Sequence, residues 1–412
     1  MQTFTGWQYL LIDLANQFGH DKMTFDARIK WAEEFLPVLE ALEMQAENKP
    51  LYLKAVQAIR KAQAGVPTGH LVGFDACCSG IQIMSALSGC VAGATATGLV
   101  NPNVRADAYS SVTDAMQTIL GNSVNVTRQQ AKEALMTSFY GSKAKPIEIF
   151  GEETPELNAF YEAANTVAPG AWEVLQDLLG SWQPYALVHE WKLPDGYDAR
   201  VKVMDKKEAR IEVDELDHAT FTYQFYENVG QKKGLSNVAN VVHSVDAYIL
   251  RCIHRRCNYD LNVFADAAYI IEMELITRSC GGASRMNQCD QDLNYYIEQY
   301  VRSGMADIVI VPMLTIDNLG DLSTKHLQAL AVIIDDMLQY KPFEVVTIHD
   351  EFKCHANNMN HLRKQYVNIM AELADSELLS DILGQLHGTS GSYQKLSNNL
   401  STLIKQSNYA LS

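Results

Sequence analysis

Four side chains follow one another at intervals of four residues in the segment TRQQAKEALMTSFYGSK. They are Arg128, Lys132, Met136 and Tyr140, and Gly141 comes directly after them. Side chains spaced by four lie along one side of an α-helix. Lysine binds a phosphate as a point charge and arginine as a two-pronged donor, so the pattern predicts a helix that holds a nucleoside triphosphate, with Tyr140 at the base end. Taken alone, it fits a surface helix with a half-buried tyrosine about as well.

Two aspartates stand at the ends of apolar runs. Asp75 closes LVGFD, and Asp350 follows FEVVTIH. Such β-branched and aromatic runs predict strands, and His349, Asp350 and Glu351 have the look of a hairpin turn. Aspartates on neighbouring strands can bind two Mg²⁺ ions about 4 Å apart, an arrangement that supports in-line phosphoryl transfer. A single aspartate at a strand end is more often a turn or helix cap.

The order of these segments resembles the single-subunit RNA polymerases of phages and mitochondria. Motif A of that family, Asp-x-x-Cys-Ser-Gly-x-Gln, is matched by Asp75, Cys78, Ser79, Gly80 and Gln82. Motif B, Arg-x-x-x-Lys-x-x-x-Met-x-x-x-Tyr-Gly, is matched by Arg128, Lys132, Met136, Tyr140 and Gly141. A His-Ser-x-Asp element is matched by His243, Ser244 and Asp246, and the His-Asp of motif C by His349 and Asp350. Residues 15–34 also fit a pattern that precedes motif A in phage members.

The resemblance implies a role for each matched residue. Asp75 and Asp350 would hold two Mg²⁺ ions, and Arg128 and Lys132 would bind the triphosphate, with Lys132 placed to protonate pyrophosphate. Met136, Tyr140 and Gly141 would complete the nucleotide site, where Tyr140 helps to distinguish ribose from deoxyribose. His243 would contact the new base pair, and His349 would lie beside the primer end, although a histidine in a strand turn also has a plausible structural role.

The resemblance also implies the architecture, a helix-rich α+β fold with the palm and fingers of a right-hand polymerase. We expect the palm and the start of the fingers, with motif A, in residues 1–110, and fingers with the motif B helix in residues 111–183. Residues 184–260 would hold the His-Ser-x-Asp element and a short counterpart of the hairpin that reads promoter bases in relatives, turning at Pro194-Asp195-Gly196. Residues 261–325 would form an inserted subdomain, and residues 326–412 the palm with motif C and C-terminal helices.

Several parts of the family pattern have no match in this sequence. They are an Asp-x-x-Gly-Arg segment that contacts the template-product hybrid, the thumb, and the N-terminal promoter-opening domain. We therefore expect a second polymerase subunit that carries the Asp-x-x-Gly-Arg segment and thumb, as in phage enzymes divided into two subunits, with this chain as the larger, catalytic one. The other partners implied are a DNA template, single-stranded or already opened, nucleoside triphosphates and nascent RNA.

The charge and composition of the chain limit the partners and the location that we expect for it. The chain has 412 residues, 47% of them hydrophobic, and a formal net charge of −16. Such a charge predicts weak binding to duplex DNA by this chain alone. The basic cluster of Arg251, His254, Arg255 and Arg256 would either follow a phosphate backbone or form a solvated helix face. There is no apolar run of about 18 residues, so we expect no membrane span and a cytoplasmic protein.

Two alternatives remain open on the sequence. Family A DNA polymerases carry His-Asp-Glu in motif C, as here with Glu351, which is either a third metal ligand or an acid outside the metal shell. Those enzymes exclude the 2′-hydroxyl with a motif A glutamate, where this chain has Gly80, and have phenylalanine where it has Met136, so RNA synthesis is favoured. The other alternative is a catalytically silent scaffold, which would need none of the chemistry of Asp75, Lys132, Tyr140 and Asp350.

Overall fold

The structure, a computed structural model, describes residues 1–121, 124–231, 237–285, 291–389 and 391–412. Its α-helices, in chain order, are α1 (Gly6–Phe18), α2 (Phe25–Phe35), α3 (Lys49–Gln63), α4 (Ser79–Ser88), α5 (Val91–Ala96), α6 (Ala108–Leu120), α7 (Arg128–Ser138), α8 (Ala144–Phe150), α9 (Pro155–Val167), α10 (Pro169–Gly180), α11 (Val238–Cys257), α12 (Leu261–Ser279), α13 (Gln291–Ser303), α14 (Thr324–Met337), α15 (Met359–Asp375), α16 (Leu378–His387) and α17 (Leu400–Ile404). Its strands are β1 (Leu71–Asp75), β2 (Val188–Lys192), β3 (Asp198–Lys202), β4 (Met204–Val213), β5 (Ala219–Asn228), β6 (Val346–Ile348) and β7 (Glu351–His355). The predicted helix-rich α+β class is confirmed. None of the described helices is long and apolar enough to cross a membrane.

A three-stranded antiparallel sheet joins the two aspartate segments. Its strand order is β1-β7-β6, and Asp75 lies opposite Glu351 in the register of β1 and β7. Phe74 and Phe352, also opposite each other, are buried beneath the sheet. The hairpin was expected to begin near Phe343, but β6 starts only at Val346. The sheet is therefore small, and its register places both predicted aspartates at one end.

The predicted nucleotide helix is α7, and its ends follow from local sequence. Thr127 accepts a hydrogen bond from the backbone of Gln130, whose side chain bonds back to Thr127 in a capping box. The helix ends at Ser138, so Tyr140 lies in the turn just beyond it rather than on its last helical turn. Gly141 follows with a φ of 88°, a left-handed conformation that glycine adopts without steric strain.

The main core packs α1, α4, α11 and α15 around the three-stranded sheet. Gln82 of motif A lies fully buried within it. Its amide donates to the carbonyls of Thr97 and Ala410 at 2.9 and 3.1 Å, and its oxygen accepts from the hydroxyl of Tyr366 at 2.7 Å. Because a buried amide needs all these partners, Gln82 fixes α4 against the C-terminal segment.

A second apolar core is built from α12, α13, α14 and the segment between α13 and α14. A subdomain was predicted for residues 261–325, and buried side chains in this range do form a separate cluster, from Phe264 to Leu322. The cluster continues through Leu327, Ile334 and Met337, so α14 packs with the predicted insertion beyond residue 325. The apolar stripe in the sequence of α14 predicts which face of the helix is buried. It does not predict which of the two cores that face packs into.

Two hairpins precede α11. In the first, β2 and β3 pair around the predicted turn at Pro194-Asp195-Gly196. In the second, β4 and β5 pair over ten residues, from Met204 opposite Asn228 to Val213 opposite Ala219. The sequence predicts a short hairpin with its turn at Pro194-Asp195-Gly196, and the strands of the first hairpin have five residues each. The run RIEVDELDHATFTYQFY has a strand-like composition that favours the second pairing, whereas the start of β4, MDKKEA, is rich in residues that are depleted in strands.

Candidate active site

A cleft of about 450 Å³ opens where the three-stranded sheet meets α7. Its lining includes Asp75, Lys132, Met136, Tyr140 and Asp350. These residues come from three separate segments of the sequence, and each was predicted from its motif. The structure therefore brings the two predicted metal-binding carboxylates and three of the six predicted nucleotide residues, Lys132, Met136 and Tyr140, to one concave surface.

Burial and neighbouring carboxylates raise the pKa of two acids at this site, Asp75 and Asp246. The backbone N–H of Ala76 donates to the carbonyl oxygen of Asp350 at 3.3 Å, which holds the end of β1 against the turn. Burial, and then the nearby charges of Asp350 and Glu351, raise the pKa of Asp75 to about 7. Burial and Asp350 likewise raise the pKa of Asp246 on α11 to about 6, against the opposing effect of His349.

This electrostatic state fits a cation site. Asp75 and Asp350 provide oxygen donors of the kind that Mg²⁺ prefers, and their mutual repulsion is relieved when a divalent ion binds between them. Glu351 also lines the cleft, but its carboxylate pairs with the ammonium of Lys353 at 2.8 Å. This pairing leaves Asp75 and Asp350 as the less compensated acids of the motifs.

The two predicted phosphate ligands of α7 have different surroundings. Lys132 lines the cleft, with its ammonium 5.8 Å from the ring centre of Tyr109. Arg128 is not among the described residues that line the cleft, and its Nε donates to Asp107 at 2.7 Å. Although burial raises the pKa of Asp107, hydrogen bonds from Arg128 and Ser110 hold it below its usual value. Arg128 is thus already engaged by a carboxylate at the edge of the site.

Tyr140 joins three of the predicted motifs. Its hydroxyl is hydrogen-bonded to Ser79 of motif A, and its ring centre lies 4.8 Å from that of His243 on α11. The hydroxyl oxygen is 2.9 Å from the position that a Cβ atom on Gly80 would take. Burial of the ring raises the pKa of the Tyr140 hydroxyl, so it stays protonated and able to donate at neutral pH.

The residue next to His243 takes part in a buried contact that no local sequence pattern predicts. The indole N–H of Trp191 on β2 donates to the hydroxyl of Ser244 at 2.9 Å, and that hydroxyl donates to the carbonyl of Val241 at 2.7 Å. Trp191 is almost fully buried. The first hairpin therefore fixes the start of α11, and with it the face that carries His243 and Asp246.

His349 lies at the turn between β6 and β7. It is exposed and has a φ of 55°, which is uncommon for a residue with a side chain and is tolerated in a tight turn. This backbone conformation determines the direction in which the chain continues from β6 to Asp350. A structural role for His349 in the turn is therefore compatible with its predicted place beside the primer end.

Two further cations line the cleft without having been predicted as ligands. Lys22 precedes α2, within the N-terminal stretch that fits the phage pattern, and Arg105 precedes α6. Arg105 donates from Nη1 to the carbonyl of Ala106 at 2.7 Å, while its buried Nε has no hydrogen-bond partner among the described residues. The pattern around Lys22 was a usable signal, whereas nothing near Arg105 in the sequence marked it.

The basic cluster after the His-Ser-x-Asp element does not form a phosphate-binding surface. Arg251 and Arg255 both pair with Asp195 in the turn of the first hairpin, at 2.6 and 3.2 Å. Arg256 is buried and makes a two-pronged pair with Glu372 at 2.6 and 2.8 Å. The suggestion that this cluster follows a phosphate backbone is therefore replaced by a structural role, holding the first hairpin and α15 against α11.

Comparison with known proteins gives two similarities, one of which includes motifs A and B. Residues 2–148, which contain Asp75 and all of α7, match the family model for DNA-dependent RNA polymerase. The chain is also 24% identical over 302 residues to a DNA-directed RNA polymerase of Pseudomonas phage phiKMV. That match covers 59% of this chain and 37% of the phage protein, so the chain spans little more than a third of this curated relative. Both similarities support an enzyme of the DNA-directed RNA polymerase type.

Proposed function

We propose that this chain catalyses template-directed synthesis of RNA from nucleoside triphosphates on a DNA template, as the catalytic part of a complex with a second chain. One observation carries the proposal. Asp75 and Asp350, from strands far apart in sequence, meet at the floor of a cleft whose wall presents Lys132 and Tyr140. Paired carboxylates facing a phosphate-binding cation and a ring that can lie against a sugar are the parts that nucleotidyl transfer needs.

On this proposal Asp75 and Asp350 hold two Mg²⁺ ions. Such ions would lower the pKa of the attacking 3′-hydroxyl and offset the charge that develops on pyrophosphate. The raised pKa of Asp75 supports the assignment, because burial and the charges of Asp350 and Glu351 disfavour its ionised form, and a divalent ion at this position would offset that cost. Asp246 supplies further negative potential from α11.

The other residues of the cleft bind and orient the substrates. Lys132 holds a proton on Nζ that it can give to the departing pyrophosphate, and Lys22 and Arg105 place two further positive charges on the triphosphate path. Arg128 reaches the phosphates on release from Asp107. The ring of His243 packs against that of Tyr140 at a tilt of 35°, so the pair would form one side of the pocket for the new base pair.

The contact between Gly80 and Tyr140 favours ribonucleotides. A glutamate at position 80, as in family A DNA polymerases, would collide with the hydroxyl of Tyr140. Without that side chain, the tyrosine hydroxyl is available to recognise the 2′-hydroxyl of ribose. A DNA polymerase remains the second candidate because Glu351 lines the cleft beside Asp75, as a third carboxylate in motif C would. A silent scaffold is disfavoured, since it gives no reason for Lys132 and two acids to converge.

The proposal of a second chain is supported by charge. A net charge of −16 is unfavourable for holding nucleic acid, and a partner with positive surface would offset it. In the proposed complex this chain provides palm and fingers, with residues 1–110 and 326–412 as palm, residues 111–183 as fingers and residues 184–260 beside them. The second chain provides the Asp-x-x-Gly-Arg segment and thumb, and the complex works in the cytoplasm of the host cell on single-stranded or opened DNA.

The test is nucleotide incorporation on a primed single-stranded DNA template with Mg²⁺. Ribo- and deoxyribonucleotides are offered separately, with and without the polypeptide that carries the Asp-x-x-Gly-Arg segment. We expect ribonucleotide extension that requires the second polypeptide and is abolished by Asp350→Asn. Preference for deoxyribonucleotides would establish the DNA polymerase. Absence of incorporation by a folded complex would contradict both the RNA polymerase and the DNA polymerase.

A further inference from the structure

The hairpin of β4 and β5, called the ribbon below, has one apolar face that is open to solvent. Because successive side chains alternate between the faces of a strand, Ile211, Phe221, Tyr223 and Phe225 lie on the same side. Their exposed fractions are 40, 49, 55 and 36%, respectively. The rings of Tyr223 and Phe225 stack, with their centres 5.7 Å apart and their planes at 17°. These four side chains are called the aromatic face.

The opposite face of the ribbon is mostly polar, and several of its polar side chains bond to one another, although Tyr226 on that face is 66% exposed. The amide of Gln224 donates to Glu208 at 2.6 Å, and Arg210 donates to the hydroxyl of Thr220 at 2.9 Å. The ribbon is therefore amphipathic, like a strand pair that packs on a core. A hairpin of two strands is at best marginally stable alone in water, and an exposed apolar patch of this kind marks an interaction site. The aromatic face needs a covering surface.

The charge of the ribbon narrows the choice of partner. Between Met204 and Asn228 there are seven acidic residues, Asp205, Glu208, Glu212, Asp214, Glu215, Asp217 and Glu227, against three basic ones, Lys206, Lys207 and Arg210. Inserting such a ribbon into a DNA groove would bring carboxylates next to phosphates, and aromatic platforms for single strands are normally set in a positive groove. A second copy of this chain, at −16, would also be repelled. A basic polypeptide is attracted.

We infer that the aromatic face of the ribbon is the docking surface for the second polymerase chain, through a surface that is apolar at its centre and basic at its rim. This inference rests on the proposed function. A polymerase complex must hold template and product, and because this chain has a net charge of −16, a basic partner would supply much of the positive surface that nucleic acid needs. Aromatic side chains at the centre and charges at the rim are the usual anatomy of such an interface.

The test compares two sets of substitutions that leave the strands intact. Phe221→Thr, Tyr223→Thr and Phe225→Thr together remove the aromatic face, and Gln224→Thr with Tyr226→Thr change the opposite face. Threonine keeps a high strand propensity, so both variants retain the ribbon. The probe is the polypeptide with the Asp-x-x-Gly-Arg segment and thumb, titrated by calorimetry against the full chain. We expect the aromatic-face variant to bind about 30-fold more weakly and the control variant to change Kd less than about 3-fold.

Two additional readouts separate this inference from the proposed function. At saturating partner, the aromatic-face variant should regain ribonucleotide incorporation, because its cleft is unchanged. Rising salt should weaken binding of the wild-type chain. If the wild-type complex forms and polymerises while the aromatic-face variant binds equally well, the inference is wrong and the polymerase stands. If the variant instead loses affinity for a single-stranded oligonucleotide, the ribbon binds nucleic acid. Failure of the wild-type chain to bind the probe overturns both the divided enzyme and this docking surface.

Discussion

The hydroxyl oxygen of Tyr140 lies 2.9 Å from the point that a Cβ atom on Gly80 would occupy, and its Cζ atom is 3.0 Å from the same point. Gly80 is buried in the first turn of α4, and Tyr140 follows α7. Glycine is thus needed at position 80 for space, independently of its backbone freedom. The contact makes the position of the tyrosine hydroxyl depend directly on motif A.

Gly80→Ala should displace the Tyr140 ring and weaken sugar discrimination. Neither α4 nor the buried part of the ring can yield easily, so the hydroxyl must leave its place against Ser79. We expect the preference for ribo- over deoxyribonucleotides, as a ratio of kcat/KM, to fall about 10-fold, equivalent to about 1.4 kcal/mol. Gly69→Ala is the matched control, because a Cβ atom there meets nothing within 4 Å. An unchanged ratio in Gly80→Ala would remove Tyr140 from sugar recognition.

Lys132 and Arg128 should differ in which kinetic constant they control. Lys132 already lines the cleft, so Lys132→Met removes a proton donor and should lower kcat about 100-fold. Arg128 is paired with Asp107, so we expect its substitution to remove a contribution to nucleotide binding and not to the chemical step. Arg128→Met should therefore mainly raise KM, by about 10-fold. Lys143→Met, at an exposed position just beyond the helix, is the control for loss of positive charge. Equal effects of both substitutions on kcat would contradict this division.

The sequence predicts the residues of the site better than the contacts that hold them. Motif spacing is local, so it predicts Asp75, Lys132 and Asp350 as site residues and the type of element that precedes or carries each of them. The pairing of Arg128 with Asp107 and the bond from Trp191 to Ser244 join residues far apart along the chain, and no local pattern encodes them. The full length of the ribbon is not encoded locally either. Cross-strand pairing stabilises residues in β4 that have low intrinsic strand propensity, so tertiary structure overrides the local signal.

Asp75 should make metal binding and stability depend on pH near neutrality. Its pKa is about 7 in the folded chain against an ordinary 3.8, so the folded state holds more protons than the unfolded state between these values. Stability contributed by this group therefore falls as the pH rises from about 4 to about 7. In EDTA, Asp75→Asn should raise Tm by about 1–2 °C at pH 8 and by less at pH 5, a small effect because solvent in the cleft screens the charge.

The same group gives a direct binding test. Affinity for Mn²⁺, measured by calorimetry, should increase as the pH rises from 6 to 8, because the ion competes with the proton on Asp75. Asp75→Asn should bind Mn²⁺ weakly and without that pH dependence. Affinity that is flat across this range in the wild-type chain would show that Asp75 is already ionised and that its neighbours do not raise its pKa.

Arg256 should contribute to stability and not to nucleic-acid binding. Its guanidinium is buried on α11 and pairs with Glu372 on α15, whose side chain is partly exposed. Arg256→Met leaves that carboxylate without its partner, and we expect a loss of about 3 kcal/mol in the free energy of unfolding, measured by urea denaturation. The affinity of the folded variant for single-stranded DNA should equal that of the wild-type chain.

A double substitution separates the ion pair from the packing around it. Arg256→Met with Glu372→Leu removes both charges and keeps much of the apolar volume, so stability should return to within about 1 kcal/mol of wild type. If the stability of the double variant does not recover, packing by the apolar stem of Arg256 contributes more to stability than its ion pair with Glu372. If Arg256→Met unfolds like wild type but binds DNA more weakly and with a smaller salt dependence, this arginine faces a phosphate in the working enzyme, and the structural assignment of the cluster is wrong.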